Sequence, residues 1–361
     1  MAPRPRPIGV SRAYLDWNAS APLRAEARAA MTAAMDLCGN PSSVHAEGRA
    51  ARALVERARA EIAEALGAQG CDLVFTSGAT EAAALALAGR DLACAGVEHD
   101  AVLAWCASDL PTRRDGAVDV ADPARSCVQL ANSETGIVQD LPAGVAVSDL
   151  TQAFGKIAFG FEWLGAQMGF VSAHKIGGPK GVGALVLPKG YDLAARIRGG
   201  GQEMGRRSGT ENVIGIAGFA AAATAAQEDL ASGVWDQVAA RRDLMEEAIA
   251  DGESDTIFVG KGVKRLPNTS MMVTPGWRGE TQVMGMDLAG FAVSAGSACS
   301  SGKAKTGGAL PAMGFTPDQA ACAVRVSIGP DTTEGALLRF AEAFRARRDK
   351  RRGRAASQED A

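Results

Sequence analysis

The sequence predicts an α/β protein: a large unit built on a mainly parallel sheet, then a smaller α+β unit. Three observations predict it. Short apolar runs alternate with helix-forming stretches over the first two thirds of the chain, the pattern of strands joined by helical crossovers. From about residue 236 the alternation gives way to strands and helices in mixed order. The length, 361 residues, suffices for two units. The large unit is expected over 12–235, the small one over 236–350, and a basic, disordered tail over 351–361.

The elements follow in order. Asn40-Pro41-Ser42-Ser43 reads as a turn and helix start, after which Leu54, Ala58, Ile62 and Leu66 recur at helical spacing. The run 73–76 reads as a buried strand ending in Ser77-Gly78-Ala79-Thr80-Glu81, with a helix over 82–88. Further strands are expected at 127–131, 168–172 and 184–187, and helices at 212–230 and 235–250. The small unit supplies strands at 269–273, 291–293 and 325–328, then a final helix over 334–348.

Composition narrows the function. Apolar residues make up 47%, charged residues 22%, and the net charge is −3, so no global field draws the chain to nucleic acid or a membrane surface. The basic run 345–354 fits a solvated helix end, with docking of an acidic partner as the alternative. Seven cysteines (Cys38, Cys71, Cys94, Cys106, Cys127, Cys299, Cys322) form no CxxC pair. That argues against a disulfide framework and for a reducing cytoplasm. The first ten residues lack the apolar stretch of a signal peptide, and the run 217–226 is too short to span a bilayer. With only His45, His99 and His174, no metal centre is expected.

Five stretches could carry chemistry. A strand ending in Ser77-Gly78-Ala79-Thr80 and opening a helix suits a phosphate, although ordinary N-caps look the same. Lys175, in Ser172-Ala173-His174-Lys175 before a glycine-rich turn, is either a solvated lysine or a nucleophilic amine. Asp149, at the end of an apolar run, could pair with a pyridinium nitrogen or cap a helix. The glycine-rich stretch 199–212 means close backbone approach or a plain loop. Cys299, in Ser297-Ala298-Cys299-Ser300-Ser301-Gly302, is more accessible than a core cysteine and could be a reactive thiol.

Together these stretches resemble one family. Tyr14-Leu15-Asp16-x-Asn18-Ala19, Gly39-Asn40-Pro41, Ser77-Gly78-Ala79-Thr80-Glu81, Asn132-Ser133-Glu134-Thr135-Gly136, Ser172-x-His174-Lys175-x-x-Gly178-Pro179-Lys180-Gly181, Arg207-Ser208-Gly209-Thr210-Glu211-Asn212, Gly296-Ser297-Ala298-Cys299 and Arg325-x-Ser327-x-Gly329 run in family order from residue 14 to about 333. They are similar to cysteine desulfurases of the NifS/IscS branch, within the class V aminotransferases of pyridoxal-phosphate fold type I. The resemblance implies a seven-stranded, mainly parallel large-domain sheet and a homodimer in the cytoplasm.

It also implies roles. Lys175 carries pyridoxal 5'-phosphate covalently. Ala79, Thr80, Ser172 and His174 bind the phosphate, with Thr210 from the second subunit. Asp149 pairs with the pyridine nitrogen, Gln152 contacts the phenolic oxygen, and His99 stacks on the ring. Arg325 clamps the carboxylate of L-cysteine, and Asn132 and Ser133 supply substrate and cofactor contacts. Lys175 takes the Cα proton, Cys299 takes the sulfur as a persulfide, alanine leaves, and an acceptor protein receives the sulfur, for iron–sulfur cluster assembly or another route. The alternatives are a different enzyme of the group, such as a selenocysteine lyase or an aminotransferase, and a non-catalytic paralogue acting as a scaffold.

The chain departs from the family pattern in places. Ser133 stands where the family has a second asparagine. Only eight residues separate Asp140 from Asp149, fewer than a helical crossover needs, so a helix is expected to be missing there. The stretch from His99 to Glu134 and the C-terminal tail are also short, and the loop 300–310, with its glycines and lysines, is expected to be mobile.

Overall fold

The computed structural model describes residues 12–251, 254–296 and 308–359. Strand β1 (Ala13–Tyr14) precedes helices α1 (Ala25–Met35) and α2 (Ala46–Leu66). Strand β2 (Cys71–Thr76) leads into α3 (Ala79–Leu87), followed by β3 (Ala93–Ala95), α4 (Asp100–Leu103) and β4 (Ala107–Leu110). Then come β5 (Val145–Asp149), β6 (Ala166–Ser172), β7 (Gly183–Pro188), α5 (Val213–Ala231) and α6 (Val234–Ala250). The remainder holds β8 (Ile257–Val259), β9 (Thr269–Val273), α7 (Gly279–Leu288), β10 (Phe291–Ala292), β11 (Ser294–Ala295), α8 (Ala309–Ala312), α9 (Pro317–Ala321), β12 (Ala323–Ser327) and α10 (Glu334–Glu359).

The large sheet has the regular order β2-β7-β6-β5. It is mixed: β7 is antiparallel to both β2 and β6, while β5 and β6 are parallel. The sequence explains the reversal, because only residues 173–182 connect β6 to β7, and a parallel crossover needs a dozen or more. Beyond β5, parallel bridges Cys127↔Val147 and Ala93↔Ser126 carry the sheet on to β3 and β4. Seven extended segments result, all but β7 running one way. The expected strand at 127–131 is therefore an irregular segment tied on by bridges and by bonds such as Val128 N–H to Val147 C=O, 3.0 Å.

Alternation along the strands builds two cores. Leu73, Phe75, Val171, Ala184 and Val186 face α2 and α5, meeting Ile62, Leu66 and Phe219. Val74, Met168, Phe170, Leu185 and Leu187 face the other way, toward Leu85 and Leu87 of α3. Both faces are covered, which is why these strands read as continuous apolar runs. Helix α5 is alanine-rich and buried on most sides.

The expected trimming is visible. Among the described residues, only a turn at Gly144 precedes β5, pinned by Gly144 N–H to Gly165 C=O at 2.7 Å.

The second sheet, β11-β12-β9-β8, is antiparallel. One face packs Met272, Val324 and Val326 on Val238, Met245, Phe340 and Phe344 of the flanking helices. Leu15, beside β1, joins this core, and β1 pairs in parallel with β10. The opposite face packs Met271, Val273 and Ala323 on Ala95, Val97 and Ile137, so this sheet closes over the ends of the large sheet's strands. Helix α10 continues to Glu359, where a disordered tail was expected from 351. Its Arg, Lys, Ala and Glu residues are good helix formers, and Arg351 Nε donates to Gly276 C=O at 2.8 Å. Among the described residues no helix is long and apolar enough to cross a membrane.

Candidate active site

Strands β2, β5 and β6 end at one edge of the large sheet, where Ser77, Asp149 and Ser172 open onto a cavity of about 600 Å³. Strand β2 hands over through Ser77 and Gly78 to the N-terminus of α3, whose unpaired N–H groups and helix dipole favour an anion. The turn is held from behind: Ser77 N–H donates to Glu81 at 2.7 Å, and Arg207 pairs with the same carboxylate at 2.8 Å. Gly183 lets β7 come close, because a Cβ there would sit 2.7 Å from Gly78 Cα and 2.6 Å from Val171 O.

Strand β5 delivers Asp149. Its Oδ1 accepts the Thr151 N–H at 2.8 Å. Burial raises the Asp149 carboxyl; the Thr151 bonds, His99 and Lys175 oppose that rise. A cation arriving here would restore its charge. Strand β6 ends at Ser172, and a single 3-10 turn, Ala173–Lys175, swings Lys175 into the cavity. Lys175 Nζ donates to the carbonyls of Asn18 at 2.6 Å and Ala19 at 3.0 Å. His174 is held down to about 4, chiefly by burial with Lys175, Lys180 and Lys156 adding. It is therefore neutral, with Nδ1 3.3 Å from Ser20 Oγ. His99 caps α4 by accepting Ala101 N–H at 3.1 Å, and lines the cavity.

From the second sheet, β12 brings Arg325. One guanidinium nitrogen pairs with Asp16 at 2.7 Å and another donates to the Ser133 carbonyl at 3.0 Å. Asp16 in turn accepts Ser294 Oγ–H at 2.9 Å. Two buried polar atoms in this wall have no partner: Arg325 Nε and Thr151 Oγ1. With the α3 terminus, Asp149 and Lys175, the donor set fits a phosphorylated pyridine aldehyde.

Ala79, Thr80, His99, Ser133, Asp149, Gln152, Ser172, His174, Lys175 and Arg325 all line the one cavity. Asn132 does not. Its Oδ1 accepts the N–H groups of Glu134 and Thr135 at 2.9 and 2.7 Å, and its Nδ2 donates to Val97 C=O at 2.9 Å, so its amide is spent shaping the turn that presents Ser133. Thr210 is exposed and does not line its own chain's cavity. Cys299 and most of the loop 300–310 lie outside the described residues, while Ser294, Ala295 and Gly296, leading to Cys299, line the cavity.

Sequence reasoning did not single out Asn18, Thr151, Lys156 or Glu134 as site residues. Glu134 lines the cavity and accepts the Ala309 N–H at the start of α8. Burial is the main cause that pushes its carboxyl from 4.5 up to about 7; Arg325 and the Ala309 N–H oppose, and Asp100 adds. A carboxyl raised in the folded state favours folding fully below its unfolded value, and that contribution is lost as pH rises through the folded one. Glu134→Gln is therefore expected to flatten the decline of Tm in cofactor-free protein between about pH 5 and 8. Parallel Tm–pH curves for variant and wild type would show that Glu134 does not titrate in this window.

The chain is similar to known proteins along most of its length. The family model described as aminotransferase class-V matches residues 13–112 and 123–340. A cysteine desulfurase of Frankia sp. (strain EuIK1) is 38% identical over 370 residues, covering 89% of this chain and 87% of the relative. The cysteine desulfurase IscS of Dictyoglomus turgidum is 34% identical over 357 residues, covering 89% and 90%. The X-ray structure of a NifS-like protein from Rickettsia africae ESF-5 superposes with a TM-score of 0.83 at 30% identity, covering 92% of this chain and 98% of that one.

Proposed function

The chain belongs to the aminotransferase class-V family, in its NifS/IscS branch, and from that premise we propose how its own residues remove sulfur from cysteine. It is a cysteine desulfurase that uses pyridoxal phosphate. The observation that carries the assignment of roles is the convergence of Asp149 from the end of β5, Lys175 from the turn after β6 and Arg325 from the middle of β12 on one cavity with the N-terminus of α3.

When bound, the cofactor supplies an electron sink for a carbanion at the substrate Cα. The α3 terminus with Ala79, Thr80, Ser172 and His174, all lining the cavity, would hold its phosphate, and His174, held down to about 4 chiefly by burial, adds no charge there. Asp149 would hold the proton of the ring nitrogen, and His99 would pack against the ring. Arg325, already oriented by Asp16 and Ser133, receives the cysteine carboxylate. Ser133 acts there through its backbone carbonyl, which serine supplies as well as asparagine. Lys175 carries the Cα proton between atoms of the substrate. Cys299, as thiolate, attacks the substrate sulfur; the new S–S bond forms as the Cβ–S bond breaks, and Cβ is protonated to give alanine.

The finer reading is a homodimer in which Thr210 reaches the partner's phosphate site, a cytoplasmic location, and delivery of the persulfide sulfur to an acceptor protein of iron–sulfur cluster assembly. The division into units at 12–235 and 236–350 belongs to the same reading. Purified, cofactor-loaded protein with L-cysteine and a dithiol reductant is expected to release alanine and sulfide in equal amounts. Pyruvate with sulfide, or no turnover, would replace the desulfurase reading with a lyase or a non-catalytic one.

A further inference from the structure

One buried amine beside the cavity has no part in the mechanism above. Lys156 is 2% exposed. Its two hydrogen-bond partners are both amide oxygens: Gln152 Oε1 at 2.6 Å and Asn18 Oδ1 at 3.2 Å. Burying an amine is costly, so it persists where the surroundings use its donors. Its neighbours are themselves buried and wired to the site. Asn18 Oδ1 also accepts from Asn268 Nδ2 at 3.0 Å, while Asn18 Nδ2 donates to Ser133 C=O and Thr269 Oγ1 at 3.2 and 2.8 Å. The Asn18 carbonyl receives Gln152 Nε2 at 3.0 Å and Lys175 Nζ at 2.6 Å.

A primary amide can be turned over with little change of shape, so what decides its orientation is the polarity of its neighbours. Lys156 offers donors to both Gln152 and Asn18. We propose that Lys156 is a positioning residue that fixes the orientation of the Gln152 and Asn18 amides, so that Gln152 presents its N–H side to the phenolic oxygen of the bound cofactor and the Asn18 carbonyl stays aimed at Lys175. The proposal rests on reading Gln152 as the phenolic-oxygen contact. Burial, with Lys175 and Arg325 adding, holds the Lys156 amine well below its ordinary range. In either protonation state its N–H groups remain donors to both amide oxygens. Gln152 and Lys156 are four residues apart in the turns after β5, so one local segment carries both the contact and its support.

The test is a spectroscopic pH titration of the holoenzyme in four forms: wild type, Lys156→Met, Gln152→Leu and the double variant. Lys156→Met is expected to move the midpoint of the cofactor absorption change by more than about half a pH unit, and to weaken cofactor binding about tenfold, the scale of one hydrogen bond to a charged group. The shift should match that of Gln152→Leu and should not add to it in the double variant. Lys156→Gln, which keeps a donor at shorter reach, is expected to restore part of the shift, and serves should the methionine variant fail to fold. A Lys156→Met protein that titrates as wild type while Gln152→Leu shifts would overturn the role of Lys156. So would shifts that add fully. An unshifted Gln152→Leu would remove the phenolic-oxygen reading itself, and the proposal with it.

Discussion

Lys175→Ala is expected to lower alanine formation from cysteine by at least ~10³-fold, the upper range for losing a positioned acid–base group, and to abolish the absorption change that marks covalently held cofactor. The chain should still fold. Lys175 is half-buried, follows the last residue of β6, and its hydrogen bonds are made to backbone carbonyls of Asn18 and Ala19. Both residues line the cavity, and the Asn18 carbonyl keeps its bond from Gln152 Nε2 when the amine is removed, so the stability cost stays small. The phosphate cradle at α3 does not depend on Lys175, and the Thr151 bonds and His99 still oppose the rise of the Asp149 carboxyl, so the variant should retain cofactor noncovalently at reduced affinity. The measurements are single-turnover alanine release, the absorption spectrum, and Tm with and without cofactor. A variant with wild-type turnover would place the reacting amine elsewhere. Lys156 and Lys180 are the other lysines at the site, but Lys156 is committed to two amide oxygens.

How much of this was legible beforehand depends on where each signal lies. Lys175, Asp149 and the Gly78-Ala79-Thr80 turn sit at strand ends and Arg325 in the middle of β12, each inside a contiguous motif, so a reading of neighbours along the chain reached them. The trimmed flank before β5 was legible for the same reason, from residue counting. The antiparallel β7 was open to the same arithmetic on residues 173–182, yet alternation of strands and helices pointed to a parallel sheet and hid it. Lys156 could not be read this way. Its meaning lies in Asn18, 138 residues away, and a lysine in a sequence looks solvated by default. Asn132 shows the converse: its motif reaches the cavity through Ser133 and Glu134, while its own amide is folded into an Asx-type turn that delivers the Ser133 carbonyl to Arg325. Glu134 carried no sequence signal for its raised carboxyl either, since that shift comes chiefly from burial in the folded chain.

Cys299→Ala is expected to separate two halves of the chemistry that Lys175→Ala removes together. Lys175, Asp149 and Arg325 remain, so the variant should load cofactor, bind L-cysteine through Arg325 and show the same spectral change on mixing as wild type. What it lacks is the nucleophile for the substrate sulfur. Alanine release should then fall by roughly 10²–10⁴-fold, the span expected when a reacting side chain is lost, and mass spectrometry should find no added sulfur on the chain. The geometry around the described flanks supports this separation. Ser294, Ala295 and Gly296 line the cavity and are fixed by Ser294 Oγ to Asp16 and by Gly296 N–H to Ala323 C=O at 2.9 Å. Asp16 also orients Arg325, so the residue that aims the substrate clamp is bonded to the strand leading to Cys299. That coupling predicts a second signature: KM for cysteine in Cys299→Ala should stay within about threefold of wild type, because Arg325 and its partners are untouched. Full turnover in Cys299→Ala would mean that sulfur leaves without a protein nucleophile. The substrate sulfur would then pass directly to the added dithiol, whose two electrons take it to sulfide as alanine leaves, and the chain would act as a lyase of the same family.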